Sequence, residues 1–110
     1  MNAKRVSIFI NEADKFHGRP LHLELLRALA KEGIAGATVL RGVAGYTRSA
    51  GICTTSLVDA GGLLPLVVEF IDAEGHVESI LPKIVGMVGD RLITLSELEI
   101  RHGGALQQTA

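Results

Sequence analysis

The stretch Gly33-Ile34-Ala35-Gly36-Ala37-Thr38-Val39-Leu40-Arg41-Gly42-Val43-Ala44-Gly45-Tyr46 constrains this chain more than any other. It reads as a helix stop, a turn, and a strand that runs out into a loop. An apolar-periodic segment ends in Lys31 and Glu32, and Gly33 follows where helices are commonly closed by a residue at positive φ. Gly36 supplies a second flexible point. From Ala37 onward, β-branched and apolar residues alternate with small or polar ones, as in a strand buried on much of both faces. Gly42 and Gly45 interrupt that strand. Each is expected to leave room for a close approach, by a packed neighbour at a bulge or by a ligand.

Other elements fall into place around this stretch. Val6-Ser7-Ile8-Phe9-Ile10 is a first strand, apolar enough to be central, and polar residues from Asn11 to Gly18 form a connecting loop. Pro20 suits the first turn of a helix over 20–32, whose core face carries Leu21, Leu25, Ala28 and Leu29, with Leu23 off that face. Thr47 to Gly62 is a run of small and polar residues, long for a connection and so expected to be functional or mobile. Ile52, Leu57 and Val58 within it can extend the flanking strands as a ribbon. Leu63 to Ile71 makes a third strand with Pro65 at its entry, where no ladder donor is needed. Asp72 is placed to cap a second helix with a core stripe of Val77, Ile80, Leu81, Ile84 and Val88. Pro82 inside it predicts a kink or a delayed start, and Gly89 ends it. Leu92 to Ile100 is a last strand, broken near Ser96 and Glu97, and residues 103–110 form a flexible tail.

Strand, helix, strand, strand, helix, strand is the split βαβ, ferredoxin-like arrangement. It is an α+β fold with an antiparallel sheet and two helices on one face. The 110 residues fit one such domain, 1–110. Phe9 and Leu40 fall on faces opposite to Ile8 and Val39, so the bare sheet face keeps apolar residues and calls for a homo-oligomer. A net charge of −1 with scattered cations gives no field for nucleic acid. Cys53 is the only cysteine, which excludes an internal disulfide and fits a reducing compartment. No apolar run is long enough for a signal core or a bilayer span, so the chain is expected to be cytoplasmic and not membrane-embedded.

With these residues in place the chain resembles the P-II signalling proteins, and more closely their small PII-like cousins of uncharacterised function in bacteria and archaea. The reminders are Gly33 to Val39 leading to Gly45-Tyr46, Leu64-Pro65 opening the third strand, Glu12 to Asp14 with Gly18 to Leu21, Gly36 to Gly42, and Leu92 to Leu95. The resemblance covers residues 4–102. It implies a homotrimer whose sheets face inward and whose inter-subunit clefts bind an adenine nucleotide, with the need for magnesium left open. Loop 47–62 takes the place of the T-loop, which relays ligand state to a target protein, with a membrane transporter among the candidates. Carried over by position, Gly36, Ala37 and Thr38 lie near the nucleobase, Gly45 and Tyr46 at the loop base, and Leu64 at the edge of the base. Gly89, Asp90 and Arg91 occupy the phosphate loop, and Arg101 contributes from the last strand. The departures are specific. P-II proteins carry Gly-Asp-Gly-Lys where this chain has Gly89-Asp90-Arg91, so one glycine is missing and Arg91 replaces lysine. Many cousins have a histidine where this chain places Cys53. The only tyrosine, Tyr46, lies at the loop base, which leaves no acceptor for uridylylation.

Other chemistry is sparse. No nucleophile–base–oxyanion set, P-loop or dinucleotide fingerprint is visible, so an enzyme is not expected. His17, His22, His76 and His102 lack paired metal spacing, and Cys53 has no basic neighbour in sequence beyond Arg48 to activate it. Arg41, Arg48, Arg91 and Arg101 are the anion-binding candidates, since a guanidinium fork grips phosphate well. Arg41 has the alternative of an internal ion pair with Glu69. Two other functional classes stay open: a metal- or ion-responsive trimer resembling CutA-type proteins, with Cys53 and histidines as ligands, and a ligandless scaffold that docks to a transporter.

Overall fold

The computed structural model describes residues 2–47, 50–54 and 63–103. In chain order its elements are β1 (Asn2–Asn11), β2 (Lys15–Phe16), β3 (Arg19–Pro20), α1 (Leu21–Lys31), β4 (Ala37–Arg41), β5 (Ala44–Thr47), β6 (Ala50–Thr54), β7 (Pro65–Ala73), α2 (Glu74–Val88) and β8 (Ile93–Glu99). Four strands form one antiparallel sheet in the order β4-β7-β1-β8. The apolar run in β1 earns it an interior place, between β7 and β8.

Strand alternation decides which face meets the helices. Val6, Ile8 and Ile10 of β1 and Leu66, Val68 and Phe70 of β7 are buried in one cluster with Leu21, Leu25 and Leu29 of α1 and Val77, Ile80, Ile84 and Val88 of α2. The intervening residues Ser7, Phe9, Val67, Glu69 and Ile71 lie on the opposite, open face. There Phe9 and Ile71 remain partly exposed, as does Leu40 of β4.

Helix α1 closes as the sequence requires. Gly33 sits at φ 82, its N–H donates to the Ala30 carbonyl at 3.1 Å, and the Ile34 N–H reaches the Leu29 carbonyl at 3.0 Å. That pair of hydrogen bonds is a Schellman motif, completed by the buried Ile34 beside Leu29. Gly89 likewise ends α2, at φ 64. Pro82 neither delays α2 nor divides it, and it falls on the exposed side of the helix, away from the packed stripe.

Several expectations are corrected. Pro20 precedes α1 rather than opening it. It pairs with Lys15 in the small β2–β3 hairpin, where a plain loop was expected, and the hairpin turns on His17 at φ 52 and Gly18 at φ 79. Two successive positive φ values make the primed turn that suits a two-residue hairpin, and the ring of Phe16 stacks on His17 with centroids 4.1 Å apart. The strand from Ala37 is not buried on both faces. β4 lies at the sheet edge and stops at Arg41, and the chain restarts after Gly42-Val43 as β5, paired with β6 in a separate ribbon. Of loop 47–62, residues 48–49 and 55–62 lie outside the described residues, as does 104–110 of the tail. β8 runs unbroken through Ser96 and Glu97.

Asp72 does not cap α2; Ala73 occupies that position without a side-chain cap. Strand parity turns Asp72 inward with Leu66, Val68 and Phe70, so its carboxylate is fully buried. One oxygen accepts the Ala73 N–H at 2.7 Å, and the other lies 3.3 Å from His76 Nδ1. The far side of that ring, Nε2–H, donates to the Glu32 carbonyl at 2.8 Å. A buried histidine thus pins the end of α1 to the start of α2.

Candidate functional site

At the β4–β5 break the Gly42 N–H donates to the Pro65 carbonyl at 2.8 Å. A β-carbon on Gly42 would lie 2.9 Å from Pro65 Cγ, and one on Gly45 would lie 3.1 Å from the same atom. The close approach expected at both glycines is therefore made by a proline ring. This contact sets the β5–β6 ribbon against the open sheet face and encloses a pocket of about 690 Å³. Phe9, Pro65 and Val67 give it an apolar floor, Tyr46 of β5 a ring, and Asp90 and Arg91 its charged end. Gly89 does not line the pocket. Its positive φ lets the chain leave α2 in the direction that delivers Asp90 and Arg91 to it.

Arg91 does not swing freely. Its Nε donates to Asp14 Oδ2 at 2.9 Å and its Nη1 to the Val88 carbonyl at 2.9 Å. The Asp14 carboxylate raises the already high pKa of the guanidinium, against the opposing effect of partial burial, so Arg91 is a fixed cation. The same oxygen of Asp14 accepts the Asn11 N–H at 2.9 Å. Arg41 pairs with Glu12, not with Glu69: its Nε lies 3.0 Å from Glu12 Oε1. In this register Arg41 projects to the side of the sheet where the turn after β1 lies, while Glu69 lies on the open face and accepts the Ser7 hydroxyl at 3.5 Å. Glu12 Oε1 also accepts the Leu64 N–H at 2.9 Å. Burial works against that carboxylate, but the Leu64 amide and the Arg41 guanidinium outweigh it and hold Glu12 below the usual carboxylate range.

Gly36, Ala37 and Thr38 line a second hollow of about 510 Å³, together with Glu69, Ile71 and His102. It lies toward the other end of β7 and shares no lining residue with the first. The chain thus brings Gly45, Tyr46, Asp90 and Arg91 into one pocket and Gly36, Ala37 and Thr38 into another. Leu64 lines neither; it is buried, and its backbone is bound on both sides by Glu12. Arg101 lies beyond the end of β8 with its side chain 86% exposed, and its nearest acid is Glu99 at 3.8 Å. Arg48 and the side chain of Cys53 lie outside the described residues. Among the described residues no three His, Cys, Asp or Glu side chains stand together as a metal site, and no helix is long and apolar enough to cross a membrane.

Sequence reading missed the pocket floor and the acids that hold its cation. Phe9 and Val67 could have been found by parity, since both point away from the helix-facing stripe. Glu12 and Asp14 fall within what reads as a polar connecting loop because their arginine partners lie 29 and 77 residues away along the chain.

Comparison with known proteins adds the following. Residues 3–100 match the family model DUF190, described as an uncharacterized ACR. A UPF0166 protein of Methanocaldococcus jannaschii is 30% identical over 104 residues, covering 94% of this chain and 95% of that protein. A UPF0166 protein of Aquifex aeolicus is 37% identical over 97 residues, covering 88% and 91%. Among solved structures the chain is similar to CPII of Thiomonas intermedia K12 bound to ADP and bicarbonate, with a TM-score of 0.58 and 15% identity over 93% of this chain and 91% of that one. A second structure of the same nitrogen regulatory PII-like protein, bound to ADP, AMP and bicarbonate, gives 0.57 and 14% over the same shares. At such identities the likeness is one of fold.

Proposed function

This chain belongs to the DUF190 family, and from that footing we propose that it is a PII-like regulatory protein whose effector is an adenine nucleotide. The nucleotide is held in clefts between the subunits of a homotrimer. Its binding is relayed through the β5–β6 ribbon and loop 47–62 to a target protein, with a membrane transporter among the candidates. The protein works in the cytoplasm and does so without catalysing a reaction.

One observation carries this reading. The pocket under the ribbon joins an apolar, partly aromatic floor to a fixed arginine, and that combination suits a flat base joined to an anion. The ligands of the Thiomonas protein, ADP and AMP, have that composition. The altered phosphate loop fits as well: Asp14 and Gly89 fix Arg91 in place, so a second glycine is not needed to aim it.

Calorimetric titration with ATP, ADP, AMP and cyclic nucleotides, with and without magnesium, tests the proposal. Saturable binding of one nucleotide is expected, weakened about tenfold or more by Arg91→Ala, as loss of a charge-assisted hydrogen bond implies. Absence of heat with all of them, or an unchanged affinity in Arg91→Ala, refutes it. Light scattering at micromolar concentration is expected to give the trimer mass.

A further inference from the structure

The turn from Asn11 to Asp14 lines none of the pocket, yet it is bonded to Arg91 on one side and to Arg41 and Leu63-Leu64 on the other. Three of its four side chains reach distant partners or fold the turn on itself. Asp14 Oδ2 holds Arg91 Nε at 2.9 Å and the Asn11 N–H at 2.9 Å, so a single oxygen links the pocket's cation to the turn's backbone. Asn11, 3% exposed, fixes the turn by accepting the Ala13 N–H at 2.8 Å and reaches the chain entering β7 by donating from Nδ2 to the Leu63 carbonyl at 3.3 Å. Glu12 exchanges two bonds with Leu64, giving its own N–H to the Leu64 carbonyl at 3.0 Å and accepting the Leu64 N–H on its side chain at 2.9 Å. The same Glu12 oxygen holds Arg41, the last residue of β4.

Leu63-Leu64 and Arg41 flank the segment that contains the ribbon, one on each side. We infer that the Asn11–Asp14 turn is the joint through which Arg91 is tied to the root of the ribbon, with Asp14 the positioning residue for Arg91 and Glu12 the positioning residue for the ribbon root. An anion that engages the Nη side of Arg91 shares the guanidinium charge with the Asp14 carboxylate and so weakens the Nε bond without removing it. As that bond weakens, Asp14 Oδ2 is held by the Asn11 N–H alone, the turn loosens, and the hold of Glu12 on Leu64 and Arg41 changes with it. The occupied and empty pockets then differ in contacts at the ribbon root, the differential interaction that any ligand-driven shift requires. The identity of the anion rests on the nucleotide reading above; the joint itself does not.

The test is hydrogen–deuterium exchange of the amides of residues 42–47, 51–54, 63, 64 and 66 in the intact protein. Wild type, Asp14→Asn, Glu12→Gln and the double variant are compared first without ligand and then with ADP. Without ligand, each single variant is expected to speed exchange at the ribbon root roughly two- to tenfold, the range implied by loss of one hydrogen bond. The double variant is expected to fall short of the product of the two, since both changes act on one joint. Arg91→Lys, which keeps the charge but lacks the Nε fork, is expected to match Asp14→Asn and serves in its place should that variant not fold. If Asp14→Asn and Arg91→Lys leave the ribbon at wild-type rates, or if the two single effects multiply independently, the joint is overturned. With ADP, a change in ribbon exchange that is present in wild type and lost in Glu12→Gln supports the joint; an identical change in both overturns it while leaving the nucleotide reading intact. Failure of ADP and every other nucleotide to bind wild type removes the nucleotide reading alone, because the ligand-free comparison still decides the joint.

Discussion

Gly42→Ala and Gly36→Ala, six residues apart, should shift stability in opposite directions. A β-carbon on Gly42 would stand 2.9 Å from Pro65 Cγ, half an ångström inside the 3.4 Å at which ordinary contact begins. A proline ring cannot rotate away, and the Gly42 N–H bond to the Pro65 carbonyl at 2.8 Å ties the two backbones together on the same side. Overpacking of this kind costs about 1–3 kcal/mol, from which the reduced freedom of the unfolded chain takes back about 0.4–1 kcal/mol. The net is about 0.5–2 kcal/mol of destabilisation, a fall in Tm on the order of 2–10 °C for a chain of this size. At Gly36 a β-carbon meets nothing within 4 Å and the backbone is not left-handed, so only the unfolded-state benefit remains and Tm should hold or rise by a few degrees. Urea melts at constant m-value measure both. Pro65→Ala in the Gly42→Ala background should recover stability beyond additivity, because it removes the clashing atom. Equal stability of the two glycine variants, or strict additivity in the double variant, would refute the claim that the proline ring sets the ribbon root.

Two further outcomes follow from buried and paired charges. His76→Ala removes the donor to the Glu32 carbonyl and leaves the Asp72 carboxylate buried without its neighbour, so a loss of about 2–4 kcal/mol is expected in denaturant melts; a loss under 1 kcal/mol would contradict the pinning of α1 to α2. Glu12 is held below its unfolded value of about 4.3, so its contribution is fully present above that pH and is lost as pH falls through the lower folded value. Stability of the wild type should therefore decline more steeply from about pH 5 to pH 3 than that of Glu12→Gln, as read by thermal melts across that range, and parallel curves would count against the clamp.

What the sequence disclosed was set by how local the determining forces are. The Schellman end of α1 at Gly33, the stripes Leu21-Leu25-Leu29 and Ile80-Ile84-Val88, and the interior place of β1 all follow from spacing within one element. β4 was misjudged because its alternation of apolar and small residues looks the same at a sheet edge as in a sheet centre; only the pairing partner tells them apart. Asp72 does not follow the usual rule that a carboxylate before a helix caps it, because strand parity turns it inward beside His76. Of the site, Arg91 and Tyr46 were legible by family likeness. The acids that aim Arg91 and Arg41 were not, since an ion pair across 77 residues leaves no trace in local pattern.

The placement of the two hollows bears on how copies of this chain would assemble. Both lie on the open sheet face, one beside Pro65 to Val67 and the other beside Glu69 to Ile71, with centres roughly 13 Å apart at about 3.3 Å per strand residue. They are chemically unlike. The first offers a fixed cation and an apolar floor; the second offers the Thr38 hydroxyl, the Glu69 carboxylate and the His102 ring, a mixed set of donors and acceptors suited to a polar base edge. A two-fold dimer can set one hollow against the other, residue i meeting j while j meets i, but the contact is then complete with two copies. A ring sets one surface of each copy against a different surface of the next, and in the proposed trimer that contact would join the Arg91 pocket of one subunit to the Gly36–Thr38 hollow of its neighbour. A ligand that spans both hollows is served by either symmetry, so the proposed nucleotide and the proposed trimer are separate hypotheses: calorimetry decides the first, and the mass in solution decides the second.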